Sequence, residues 1–299
     1  MHILRLYMSA EFHAGFATSQ PTIYTRLADA FTSAGYRVIP CIDTEQARTD
    51  AIALPGHAIF TMAEPPNHRA LTLRRAYQYP FWRLENTNER WRFDVALATF
   101  IPETIDLALA TPFANRWRSK LAPTTATREG FIFLPLQGRL TEQRSFQSQS
   151  PLTMIETTLA QDAKRPLIAT LHPRETYAAA EIDALHRLAA RYPRLTIATS
   201  SAGLLAACDY VVTQNSSMAF HGYFYGKRPV LFAGTDFHHI AASVPHLGVA
   251  QAFRTVTDPL SDPARYLYWF WQIQSMNAGR ADIAAQILAR ATRHGWPVN

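Results

Sequence analysis

The regular alternation of short apolar runs with amphipathic stretches over residues 131–233 constrains this chain more than any other feature. Phe131, Ile132, Phe133, Leu134, Pro135 and Leu136 form the first run, and residues 166–171, 195–198, 209–213 and 229–233 form the next four. Between them the spacing is helical. Residues 151–163 form one such stretch, and Ile182, Leu185, Leu188 and Tyr192 share one side of residues 176–192. A short helix runs through Leu204 and Leu205, and residues 217–225 are helical up to Gly226. Five strands separated by helices predict a doubly wound α/β domain with a parallel sheet.

A similar order precedes it. Residues 3–8 read as a strand, and residues 21–35 carry a helical stripe of Ile23, Leu27, Ala30 and Phe31 closed by Gly35. Residues 37–42 and 57–62 read as further strands, which again suggests parallel pairing. Residues 69–121 are expected to be helical and aromatic-rich, with Tyr77, Tyr79, Phe81, Trp82, Trp91 and Phe93 most simply in core packing. Residues 122–130, rich in Pro, Thr and Gly, read as a linker. The predicted organisation is therefore a domain over 1–121, a linker over 122–130, the doubly wound domain over 131–262 and a segment over 263–299. That last segment is helical to about residue 291, with Tyr266, Tyr268, Trp269, Phe270 and Trp271 packing across both α/β domains. There are no internal repeats.

Composition narrows the class of function. Of 299 residues, 48% are hydrophobic and 17% charged, which is ordinary for a folded protein. No apolar run approaches the ~18 residues of a spanning helix, and the N-terminus reads as a first strand rather than a signal peptide. Cys41 and Cys208 lie far apart without metal-ligand spacing, so buried thiols in a reducing, cytoplasmic compartment are expected. The net charge of +6 is spread along the chain among acidic residues, unlike the concentrated footprint of a nucleic-acid binder. It suits anionic substrates, or a peripheral contact with an anionic membrane surface.

In open α/β sheets ligands bind outside the carboxyl ends of the strands. That rule selects three polar clusters in the second half, beginning at Gln137, at His172 and at Gln214. Asn215, Ser216 and Ser217 bridge strand and helix, where backbone N–H groups and short side chains either receive a phosphate or simply cap the helix. Pro173 biases His172 to an extended conformation that aims its imidazole away from the strand end, with Arg174 as a second cationic donor. In the first half Glu11 and His13 follow the first strand and are either alternative bases or exposed loop polarity. His238 and His239 are adjacent, so a metal site there is rejected; His238 is retained as a wall of the nucleotide pocket.

Several of these residues together resemble a known family. The order Leu134-Pro135-Leu136-Gln137, Ser145-Phe146, Ser150-Pro151-Leu152-Thr153-Met154-Ile155, His172-Pro173, the run from Asp209 to Ser217, and Gly226-Lys227-Arg228-Pro229-Val230 is similar to the capsule polysaccharide synthesis family. That family includes Kdo transferases using CMP-Kdo, and the likeness covers roughly residues 130–240. It implies a GT-B-like fold of two Rossmann-like domains and transfer of an acidic sugar to a capsular polysaccharide or glycolipid acceptor. Gln137, His172, Pro173, Arg174, Asn215, Ser216 and Ser217 would hold the nucleotide-sugar. The family pattern places an acidic residue where Thr141 stands, so Glu142 is expected to take its catalytic role beside His172. No Asp-X-Asp pair is present, so no metal and no cofactor beyond the CMP-linked donor are expected. Two alternatives stay open: a non-catalytic binding protein of capsule assembly or export, and an epimerase or hydrolase of the same fold.

Overall fold

Residues 2–16 and 22–298 are described by a computed structural model, and they divide into two units. The first comprises residues 1–97 and 269–299, the second residues 98–268. Among the described residues no helix is long and apolar enough to cross a membrane.

The first unit is built on His2–Met8 (β1), Tyr36–Ile42 (β2), His57–Thr61 (β3), Ala70–Arg75 (β4) and Phe81–Glu85 (β5). A two-residue strand near the C-terminus, Met276–Asn277, completes its sheet in the order Met276–Asn277, β5, β4, β3, β1, β2. Strands β1 to β4 are parallel, whereas β5 runs antiparallel to β4 and Met276–Asn277 antiparallel to β5. Leu4, Leu6 and Met8 of β1 meet Leu27 and Phe31 of the helix Ile23–Ser33 and Ile287 and Ala291 of the helix Ile283–Arg293 in one core. Tyr7, Phe60 and Ala51 line the other face, with the Tyr7 and Phe60 rings stacked at 4.4 Å. Both faces are thus covered, as a mostly parallel sheet requires. Pro21, where the first helical stripe was expected to open, lies outside the described residues.

The second unit has Ile132–Pro135 (β6), Leu167–Thr170 (β7), Leu195–Ala198 (β8), Tyr210–Thr213 (β9), Pro229–Leu231 (β10) and Ala242–Ser243 (β11). Its sheet is wholly parallel in the order β11-β10-β9-β6-β7-β8. Counted from its own first strand, that is 3-2-1-4-5-6, the doubly wound order with its reversal between β6 and β9. Ile132, Leu134, Leu167, Ala169, Val212 and Val230 form its core with Met154, Ile155 and Leu185 from the covering helices.

Three expectations are corrected. Residues 69–121 are helical only in part, since β4 and β5 occupy their first third. All of β5 and the first four residues of β4 are buried, so no alternation marks them as strands. The helix Leu107–Leu121 belongs to the second unit, where Phe113 meets Tyr268 at 5.4 Å and the Arg265 guanidinium holds the Ile105 carbonyl at 2.9 Å. Residues 263–291 are not one helix. Pro263–Tyr268 stays with the second unit, while a π-helical turn Trp269–Ile273, the strand Met276–Asn277 and the helix Ile283–Arg293 build the first.

Residues 122–130 also behave differently from a free linker. Thr127 and Glu129 N–H donate to the Ala206 and Ala207 carbonyls at 2.9 and 3.0 Å, and Gly130 N–H reaches the Asp209 carboxylate at 3.0 Å. The buried Lys227 donates its Nζ to the Thr127 carbonyl. The stretch is a strap on the second unit, which is why the division falls at Leu97 and not here. Both cysteines are free, and burial pushes the Cys208 thiol up to about 12.

A buried carboxyl gives the first unit a pH signature. Glu85 is 3% exposed, accepts the Asp94 N–H at 3.0 Å and lies 4.0 Å from His294 Nε2. Loss of hydration raises its pKa from 4.5 to about 7. The folded state therefore holds this proton more tightly than the unfolded chain, so the contribution of Glu85 to stability is fully present below pH 4.5 and is lost as pH rises towards 7. Glu85→Gln removes that loss, worth roughly 3 kcal/mol. Denaturant titrations at pH 5 and pH 8 should show the variant gaining on the parent at the higher pH; parallel curves would refute the assignment.

Candidate functional site

The site begins where β6 and β9 stop pairing. Their ladder has only two rungs, Ile132 with Tyr210 and Phe133 with Val211. Pro135 has no N–H to extend it, and the Thr213 hydroxyl donates to the Pro135 carbonyl at 2.8 Å instead. On its other side β6 stays with β7, Leu136 N–H reaching the Thr170 carbonyl at 2.8 Å. The ladder thus ends at the reversal of strand order, the place where a crevice forms outside the carboxyl ends.

Side chains tie the loops around this point together. Gln137 Oε1 accepts the Asn215 N–H at 3.3 Å, and the Asn215 amide donates to the Gly234 carbonyl at 3.3 Å. The Gln214 amide holds the Gln149 carbonyl at 3.0 Å, while Ser148 N–H reaches Phe232 O at 2.7 Å and Gly234 N–H reaches Phe146 O at 2.9 Å. Glu181 joins the loop after β6 to the helix after β7: its carboxylate accepts from Leu140 N–H and, at 2.9 Å, from Ala178 N–H. The loops after β6, β7, β9 and β10 are therefore one connected rim.

Each expected residue now has a place. His172 is half-buried, and its Nδ1 accepts the Arg174 N–H at 3.2 Å, which leaves the proton of the neutral ring on Nε2 as a donor. Pro173 and Arg174 are exposed beside it. Ser216 is the cap of the helix Ser217–Gly222, its Oγ accepting the Met218 N–H at 3.3 Å. That helix has six residues before a 3₁₀ turn, too few peptide units for a strong dipole, so charge at the rim must come from side chains. Ser217 is exposed next to it. Glu142 faces solvent with its side chain 60% exposed, paired with Arg139 at 3.2 Å. Arg139 itself has φ 61°. Glu11 and His13 lie on the helix Ala10–Gly15 after β1, the strand at which the first sheet reverses order between β2 and β3. The structure thus joins Gln137 to Asn215 and His172 to Arg174, and leaves Glu142 with Arg139 alone.

Two residues matter more than their sequence context suggested. Glu175 donates its N–H to the His172 carbonyl at 3.2 Å, and its Oε2 lies 2.6 Å from where a Cβ on Gly138 would stand. A glycine at 138 is what lets this carboxylate lie against the loop after β6. Arg144 is half-buried over the Phe146 ring at 4.8 Å, with a buried Nε that has no partner. Among the described residues no carboxylate forms an ion pair with it; burial first and then Arg139 lower its pKa, against the more distant Glu175 and Glu142 carboxylates. A desolvated guanidinium without a counter-ion is a receptor for an anion. The signals available were Gly138 directly after the strand and Arg144 within the first polar cluster.

A different cluster concerns metals. Glu85, Asp94 and His294 of the first unit bring ligand atoms within 4.8 Å of one another. His294 Nε2 donates to the Leu84 carbonyl at 3.0 Å and so carries its proton, and Arg293 pairs with Asp94 at 2.9 Å. These atoms already have partners of their own.

No family model and no curated protein matches the sequence. Among solved structures, the chain is similar to a β-Kdo 2,7-transferase, KpsC of Thermosulfurimonas dismutans, at 10% identity over 86% of this chain and 90% of that one, with a TM-score of 0.50. A β-Kdo 2,4-transferase of the same KpsC matches at 11% identity over 89% of each chain, with a TM-score of 0.46. The first likeness establishes the fold, an α/β architecture of the two-domain GT-B type.

The rim makes a stability prediction. Glu181→Ala leaves the Leu140 and Ala178 N–H groups without their acceptor, at a cost of about 1–3 kcal/mol in unfolding free energy. Glu181→Gln should recover part of it. Equal midpoints for Ala and parent would show that the rim does not depend on this carboxylate.

Proposed function

We propose that the second unit binds the nucleotide of an activated sugar and that the protein transfers this sugar to an acceptor hydroxyl. The observation that carries the reading is the 3-2-1-4-5-6 sheet with its reversal framed by cross-linked loops bearing His172, Arg144 and the Asn215–Ser217 turn. On this reading Arg144 neutralises the donor phosphate, and the His172 Nε2–H donates to it as the bond from phosphate oxygen to anomeric carbon breaks. The acceptor oxygen forms the new bond and gives its proton to a carboxylate or imidazole. Glu175 beside Gly138 suits that role better than Glu142: both are exposed, but the Glu142 carboxylate is already paired with Arg139. Glu11 and His13 are the corresponding groups of the first unit.

The donor we infer is CMP-Kdo, supported by the motif resemblance and by the Kdo transferases that share the fold. The acceptor would be a capsular polysaccharide or glycolipid, and the site cytoplasmic, at the inner face of the membrane. Transfer would proceed without a divalent ion, since the sequence has no Asp-X-Asp pair. The exposed Arg139–Glu142 pair supports a second reading, a binding protein without turnover.

Calorimetry with CMP, UDP and GDP tests the first step. CMP should bind best, and His172→Ala and Arg144→Ala should each weaken it at least tenfold, or about 1.4 kcal/mol. Preference for UDP or GDP would discard the donor, and no binding would discard the reading. Given CMP binding, transfer should survive chelation and Glu142→Gln and fall with Glu175→Gln. Binding without any transfer would favour the second reading.

A further inference from the structure

His239, His238 and His246 form a stack of three imidazoles at the carboxyl side of β10 and β11, with centroids 4.2 and 4.3 Å apart and planes within 20° and 11°. With Thr99, Phe100 and Ser243 they line a depression of about 320 Å³ that lies wholly within the second unit. Neither the strand-order reversal nor the rim residues take part in it.

The carbonyl partners assign the protons of His239 and His238. His239 is saturated, its Nε2 donating to the Ala98 carbonyl and its Nδ1 facing the Tyr266 hydroxyl, each at 3.1 Å. His238 Nδ1 donates to the Thr235 carbonyl at 3.0 Å, so the Nε2 of the neutral ring is a bare acceptor. His246 Nδ1 meets the Ser243 hydroxyl at 2.8 Å, which leaves its Nε2 free to carry a proton. Among the described residues neither His238 Nε2 nor His246 Nε2 has a partner. The near-parallel planes rule out a shared metal ion, because in-plane lone pairs on stacked rings do not converge on one point. Both rings do line one depression, each with an Nε2 that no other group of the described residues holds, as a subsite for one oxyanion requires.

We propose that His238 and His246 form a subsite for a single oxyanion, a carboxylate or a phosphate group, with one Nε2–H directed to each of two oxygens. With the Ser243 hydroxyl donating to its Nδ1, neutral His246 provides an Nε2–H, whereas His238 provides one only as the imidazolium. Burial and the neighbouring His246 hold free His238 below its ordinary value, opposed by the Thr235 carbonyl and the buried Asp236. His239 and Tyr266 complete the groups facing the stack. Binding therefore takes up one proton. Affinity should be flat at acid pH and weaken towards tenfold per pH unit above the free His238 value.

The test uses the full chain labelled with ¹⁵N-histidine, following imidazole resonances through a pH titration alone, with inorganic phosphate, and with free Kdo as a sugar carboxylate. His238→Asn identifies the resonance. Either ligand should raise the His238 titration midpoint by about one pH unit or more, and His246→Asn should abolish the rise. A response to phosphate alone or to Kdo alone names the source; a response to both establishes a general oxyanion site. An unchanged midpoint with both ligands overturns the proposal, and needs no variant to be seen. His172→Ala should leave the shift intact. Its loss in that variant would assign the anion to the nucleotide site and overturn a separate subsite, whereas failed CMP binding with an intact shift would sink only the nucleotide reading.

Discussion

The pairing of β6 with β9 is the contact on which the second unit depends. These two strands are neighbours at the reversal of the sheet, so every crossover before it covers one face and every crossover after it covers the other. The ladder holds Ile132 and Phe133 against Tyr210 and Val211 and then ends at a proline. The missing N–H at Pro135 keeps the β6–β9 ladder from extending, while β6 stays paired with β7. Thr213 satisfies the Pro135 carbonyl and keeps the opening from leaving a buried acceptor unpaired.

What surrounds that opening is held by side-chain amides and carboxylates rather than by regular structure. Gln137, Gln214, Asn215 and Glu181 each bind a backbone group of another loop. Such bonds fix loop positions that strand and helix geometry leaves open, which is what a preorganised anion receptor needs. The electrostatics follow the same logic. Arg139 is neutralised by Glu142 in solvent, while Arg144 is partly desolvated and has no such partner. The short helix at Ser217 adds little charge of its own. The first unit is organised differently, with the C-terminal residues adding both a strand and a covering helix to its sheet.

Much of the fold was legible because burial on both faces leaves continuous apolar runs, and the helices between β6 and β10 kept their stripes. The same principle hid β4 and β5, whose runs of consecutive buried residues carry no period to separate strand from helix. The site was legible as a set of strand ends and no further. His172, Gln137 and Asn215 were candidates from their position after strands alone, and the structure adds only which loops they join. Glu142 stood out by its place near an expected acid, but its environment is solvent and Arg139. Glu175 and Arg144 gained weight only from neighbours distant in sequence: Gly138 for the one, and the lack of a pairing carboxylate for the other.

The order of residues by itself determined the parallel α/β character of the chain, the strands that end in polar clusters and the thiol chemistry of its two cysteines. Those properties are local, set by periodicity and composition within about ten residues. Only the tertiary structure decided strand order and the division of the chain at Leu97 and Tyr268. These are long-range pairings, selected by which surfaces bury each other, and no local pattern encodes them.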